Sequence, residues 1–122
     1  PMGAPGFFGY LESWDYAAVT RMSTLACYVT HVMLSFVRPD ATFSTASLAG
    51  SGLEFSATPA QVKAAIATLK GRCPGTKVIA AVGGASYNAW GALNAPAIAQ
   101  LVAYLGADGV DVDYEVSPWC AR

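Results

Sequence analysis

The sequence predicts an α/β fold of parallel strands joined by helical crossovers, the first four strands and three helices of a (β/α)8 TIM barrel. Three observations carry that expectation. Four short apolar runs alternate with helical patterns in the order βαβαβαβ, which requires crossovers and therefore a parallel sheet. The turn after the first run, Tyr10-Leu11-Glu12-Ser13-Trp14, has no G-x-G-x-x-G, the glycine turn that a doubly wound sheet usually places there. Tyr10, Gly83-Gly84 and Glu115 all fall at the C-terminal ends of strands, where barrels keep their chemistry.

The first strand is expected near Phe7 to Leu11. A helix around Tyr16 to Tyr28 follows from the stripe Val19, Met22, Leu25 and Ala26. The second strand is expected near Val32 to Val37, with His31 as a polar strand-start residue rather than a catalytic base. Arg38 to Ala57, rich in Ser, Thr, Ala and Gly, reads as a long loop or small hairpin that walls a cleft. The second helix is punctuated by Thr58 as N-cap, Pro59 at its first position and Gln61 completing a capping box. Val62, Ile66 and Leu69 form its stripe, and Gly71 is the expected C-terminal glycine. The third strand is expected near Lys77 to Val82. The third helix starts at Asn94 with Pro96 in its first turn, buries Ile98, Leu101, Val102 and Leu105, and ends at Gly106. Gly109 to Glu115 is the fourth strand. No linker or low-complexity segment divides the chain, so residues 1–122 form one domain or part of one.

The composition is apolar: 54% of residues are hydrophobic and 12% charged, about half the usual charged share of roughly 25%. Much of such a chain expects to be covered. The net charge of −1 and the scatter of the seven basic residues do not suggest a nucleic-acid partner or an anionic membrane surface. No apolar run approaches the ~20 residues of a membrane span, and no charged region followed by an apolar signal core opens the sequence. Cys27, Cys73 and Cys120 make no C-x-x-C pair and lack zinc spacing; they read as small buried hydrophobes or ordinary thiols.

The residues that carry chemistry are in the run Asp108-Gly109-Val110-Asp111-Val112-Asp113-Tyr114-Glu115. In a strand, Asp111, Asp113 and Glu115 share one face and Val110, Val112 and Tyr114 the other. Neighbouring acids then sit about 6.5 to 7 Å apart, so ionising all three is unfavourable and at least one should hold a raised pKa. A general acid beside an orienting carboxylate uses that arrangement. Two plainer readings stand beside it: a half-solvated strand, and a divalent metal on the carboxylates, for which the stretch offers no partnering His. A calcium loop is excluded, because counting from Asp111 the sixth position is Val116 and the twelfth Arg122.

On these residues the chain resembles the family 18 glycoside hydrolases, the chitinase family, and specifically the N-terminal half of their catalytic barrel. The run matches every fixed position of the signature D-G-x-D-x-D-x-E, and Gly9-Tyr10 with Trp14, and then Gly83-Gly84, stand in the family's order upstream. The resemblance implies retaining, substrate-assisted hydrolysis of β-1,4 links between N-acetylglucosamine units, outside the usual two-carboxylate scheme. It implies that Glu115 protonates the glycosidic oxygen and later deprotonates water. Asp113 would hydrogen-bond the acetamido N–H and stabilise the oxazolinium, while Asp111 shares a proton with Asp113. Tyr10 would support the inner aspartate, Asp108 would fix the turn into the strand, and Gly83 and Gly84 complete the third-strand motif. Trp14, Tyr87, Trp90 and Trp119 are candidates for stacking on sugar faces.

No cofactor and no metal are implied. The implied partner is chitin or an N-acetylglucosamine oligosaccharide, without nucleic acid or membrane, and the implied location is extracellular. The family's third-strand S-x-G-G is here Ala81-Val82-Gly83-Gly84, so a hydroxyl is missing, and the family's later strands, with further sugar contacts, lie beyond these 122 residues. The chain alone is therefore expected to be inactive, and such a half-barrel is expected to be able to self-associate. A catalytically weak chitinase-like lectin and an endo-β-N-acetylglucosaminidase acting on N-glycans are the competing functions.

Overall fold

The computed structural model describes residues 6–84 and 87–113. Its strands are β1 (Phe8–Glu12), β2 (His31–Val37), β3 (Lys77–Gly83) and β4 (Gly109–Asp113). The helices α1 (Ala18–Ser23), α2 (Pro59–Arg72) and α3 (Ala95–Leu105) separate them, and a 3₁₀ turn, Trp90–Ala92, precedes α3. The strands lie side by side in the order β1-β2-β3-β4, all parallel. A doubly wound sheet reverses its order partway; this one does not. With right-handed crossovers throughout, such an order puts every helix on one face.

One core is the result. Leu11, Val32, Leu34, Val37, Val78, Ala80 and Val82 from the strands pack with Met22, Val62, Ile66, Leu69, Ile98, Leu101 and Leu105 from the helices. Each fully buried Leu or Ile there contributes on the order of 1.5–3 kcal/mol. The other face of the sheet carries no helix among the described residues.

Local punctuation sets the helices. Thr58 accepts from the Gln61 N–H at 3.2 Å and its own N–H donates to Gln61 Oε1 at 2.8 Å, a complete capping box ahead of Pro59. Asn94 accepts from the Ala97 N–H, and Gly106 closes α3 at φ +74°. Gly71 is not the terminator of α2: the helix runs on to Arg72 and caps at Cys73. Arg72 donates to the carbonyls of Ser23 (3.0 Å) and Leu25 (2.7 Å), which holds the end of the helix in place. The first helix is shorter than the apolar stripe suggests. It ends at Ser23, where the Ser23 and Thr24 hydroxyls bond back to the Thr20 carbonyl, and no side chain caps its start.

The cysteine reading needs correction. Cys27 and Cys73 form a disulfide that joins the turn after α1 to the end of α2. Cys120 lies outside the described residues.

The segment between β2 and α2 is a loop with no strand of its own. It is packed rather than loose: Ala41, Leu48, Leu53 and Phe55 are buried, Arg38 N–H donates to the Ser51 carbonyl, and Asn94 Nδ2 donates to the Ala41 carbonyl at 3.0 Å.

Candidate active site

Register fixes which side chains share the open face. Leu11 is buried against the helices, so Phe8, Tyr10 and Glu12 of β1 face the other way. Pairing then extends three rows across the sheet: Phe8 with His31 and Lys77; Tyr10 with Met33, Ile79 and Gly109; Glu12 with Ser35, Ala81 and Asp111. Phe8 and His31 stack at 4.2 Å, and the His31 ring also bonds Thr30 Oγ1 at the start of β2.

Tyr10 and Asp111 line one hollow of about 350 Å3 on this face, with Phe8, His31, Met33, Ile79 and Val110. Both Tyr10 and Asp111 are exposed. Asp113 pairs with Gly83 one step nearer the C-terminal end of the strands. Glu115, Tyr114 and Trp119 lie outside the described residues.

Above the acidic row stands an aromatic group that the sequence did not disclose. The pairing of β2 with β3 slips between Ser35 and Val37, so Phe36 has no partner on β3. Its ring lies 6.3 Å from that of Tyr10 and 6.2 Å from that of Trp14, the latter stacked. Gly84 makes the approach possible: at φ +80°, a Cβ there would stand 3.0 Å from the Phe36 ring, and Gly83 before it has φ +110°. The glycine pair thus ends β3 beneath an aromatic cluster of Tyr10, Phe36 and Trp14.

The remaining sugar-stacking candidates separate. Tyr87 is tied to the β2–α2 loop, its hydroxyl donating to the Gly52 carbonyl at 2.8 Å with Glu54 Oε2 at 3.4 Å, and the Arg38 guanidinium lies 5.8 Å above its ring. Burial, with the Glu54 carboxylate nearby, pushes the Tyr87 phenol up. Arg38 is itself held by two hydrogen bonds to Asp40. Arg38, Gly52, Glu54 and Tyr87 line a cavity of about 390 Å3 in the loop. Trp90 packs against the helical core beside Val82, Leu93 and Ile98, away from Tyr10 and Asp111.

Asp108 stands apart from the open face. Its Oδ2 accepts from Lys70 Nζ at 2.5 Å and from the Val78 N–H at 2.8 Å, while its own N–H donates to the Val78 carbonyl. Burial alone would raise this carboxyl, but the Lys70 and Val78 hydrogen bonds outweigh it and hold it below the usual range. It fastens the turn from α3 into β4. Among the described residues no group of three or more His, Cys, Asp or Glu is placed to hold a metal ion, and no helix is long and apolar enough to cross a membrane.

Neither a family model nor a curated protein matches the chain. Among solved structures, the chain is similar to a chitinase from Bacteroides thetaiotaomicron, with a TM-score of 0.61 and 21% sequence identity. The similarity covers 98% of this chain and 39% of that one. At that identity the likeness shows the fold: an α/β succession of parallel strands and helices, consistent with part of a barrel.

Proposed function

We propose that the chain is the strand-one-to-four portion of a chitinase-type glycosidase domain that closes into a (β/α)8 barrel. The observation that carries the reading is Asp111, in the part of the acid run that β4 contains, on the open face of a parallel sheet where it lines one hollow with Tyr10. Glu115 is the general acid and then the general base, and the substrate's own acetamido oxygen attacks the anomeric carbon. Asp113 orients the acetamido group and stabilises the cationic intermediate, and Asp111 shares its proton. Phe36 and Trp14 supply apolar surface for a sugar face near the glycine pair. The substrate class is β-1,4-linked N-acetylglucosamine. Secretion fits the Cys27–Cys73 disulfide, since such bonds persist in oxidising compartments.

A binding protein without turnover is the second reading. Its support is Ala81, which presents only a methyl group between Ser35 and Asp111.

Hydrolysis of a fluorogenic chitobioside, measured in the longest natural protein that contains this chain beside its Glu115→Gln variant, separates the two. The expected result is turnover in the parent, a loss of at least 100-fold in the variant, and retained chitin binding in both. Chitin binding without turnover in either protein would establish the lectin reading instead.

A further inference from the structure

The loop between β2 and α2 encloses a cavity of about 390 Å3, within the size range of small-molecule sites. Among the described residues it has no lining residue in common with the hollow of Tyr10 and Asp111. Its inner wall is apolar, made by the buried side chains of Leu48, Leu53 and Phe55. Arg38, Glu54 and Tyr87 form its polar side. The walls are fixed in advance. Gly52 has φ +93°, and a Cβ there would stand 2.8 Å from the Arg38 backbone nitrogen, so only glycine lets the loop close on itself. The Arg38 N–H donates to the Ser51 carbonyl at 2.8 Å, and the Tyr87 hydroxyl donates to the Gly52 carbonyl. The Glu54 N–H donates to Ser13 Oγ at 3.0 Å, a tie to the turn after β1. A cavity held in this way needs little ordering when a ligand enters.

Two charged groups on the polar side keep hydrogen-bonding capacity. The Arg38 guanidinium gives Nε and Nη2 to Asp40, both at 3.0 Å, and its Nη1 has no partner among the described residues. Glu54 Oε2 lies 3.4 Å from the Tyr87 hydroxyl, and Oε1 has no partner among the described residues. The guanidinium only donates and the ionised carboxylate only accepts. An anion in the cavity would meet Glu54, and a cation would meet Arg38. A neutral ring with neighbouring hydroxyls avoids both conflicts: one hydroxyl accepts from Arg38, the next donates to Glu54, and the C–H face of the ring covers the apolar wall. We infer that this cavity is a saccharide-binding site that takes one neutral pyranose unit, held by Arg38 and Glu54. The inference uses no residue of the acid run and goes beyond the proposed function, so it stands or falls apart from hydrolysis at β4.

The test is a titration of the full chain with the N-acetylglucosamine trisaccharide, followed residue by residue in proton–nitrogen NMR spectra of wild type, Ala46→Trp and Glu54→Gln. Ala46 is an exposed lining residue, so a tryptophan there obstructs the cavity and leaves the core alone. Glu54→Gln keeps the backbone bond to Ser13 and removes the charge. Wild type should show saturable shifts at the Gly52 and Leu53 amides, and Ala46→Trp should lose them. Glu54→Gln should weaken Kd by about 10-fold. Cavity shifts that persist in Ala46→Trp, a Kd unchanged in Glu54→Gln, or no cavity shift in wild type overturns the inference. Inorganic phosphate is the ionic control: cavity shifts with phosphate and none with the sugar make this an anion site and also overturn it. The amides of Met33 and Ile79, which line the open-face hollow, report on the proposed glycosidase site separately. Shifts there alone refute the loop site and leave the glycosidase reading in place, whereas shifts in the loop alone support the loop site and leave that reading without support.

Discussion

Asp108 and Gly84 show single residues holding the frame of the open sheet face on which the proposed site lies. Asp108 anchors β4 to β3 through the Val78 N–H and to α2 through Lys70, with its side chain 28% exposed. Asp108→Asn keeps an acceptor and loses the charge, so it should lower the unfolding free energy at pH 7 by about 1 kcal/mol. The sign of the pH dependence follows from the lowered carboxyl pKa. Stability from such a group is fully present above its ordinary value, about 3.9, and is lost as pH falls through the lowered folded value. Denaturant melts of the two proteins should therefore differ at pH 7 and converge below about pH 4; a gap that widens on acidification would refute this. Gly84 works by absence. Gly84→Ala adds a Cβ against the Phe36 ring at a positive φ, so a loss of about 1–3 kcal/mol is expected, with Trp14 fluorescence shifted as its stacked neighbour moves.

At the scale of elements, what the sequence made legible was local. Thr58, Pro59 and Gln61 announce the start of α2, and Asn94 and Gly106 bracket α3, because a cap needs only residues three or four apart. Thr58→Ala should cost about 1 kcal/mol in a thermal or denaturant melt; an unaffected Tm would mean that the core alone sets the helix start. What stayed hidden depends on distant partners. Cys27 and Cys73 are 46 residues apart, and only the packing of α1 on α2, with Arg72 reaching the Ser23 and Leu25 carbonyls, brings them together. Loss of this bond through the paired Cys27→Ser and Cys73→Ser changes should cost about 2–4 kcal/mol, read as a lower Tm that reductant no longer alters. The bulge in β2 was hidden too. Strict alternation from Val32 and Leu34 sends Phe36 into the core, whereas the slip gives that place to Val37 and brings Phe36 to Tyr10 and Trp14. The acid run was legible as a pattern, but the partners of Asp111 on the open face depended on strand order.

For the whole molecule, the unequal faces of the sheet decide what these residues can do by themselves. The helical face is closed by a continuous core, while on the other face Phe8 and Tyr10 are 63% and 57% exposed. Beside α3, Val110 and Val112 of β4 are also exposed, at 45% and 61%. β1 and β4 each have one unpaired edge among the described residues, and open edges with apolar neighbours invite association. On the proposed function, a substrate at Asp111 would meet one wall only among the described residues, open to water, where hydrogen bonds and charges lose most of their leverage over a developing cation. Residues 1–122 expressed alone should therefore bind a hydrophobic dye strongly, sediment as a concentration-dependent mixture, and give no measurable turnover of a chitin oligomer. If the proposed reading holds, a protein in which this sheet is closed into a barrel should show little dye binding and a rate that Glu115→Gln abolishes. Turnover by the monomeric 122-residue chain would mean that one wall suffices, and would shift the catalytic weight from enclosure to the β4 acids themselves.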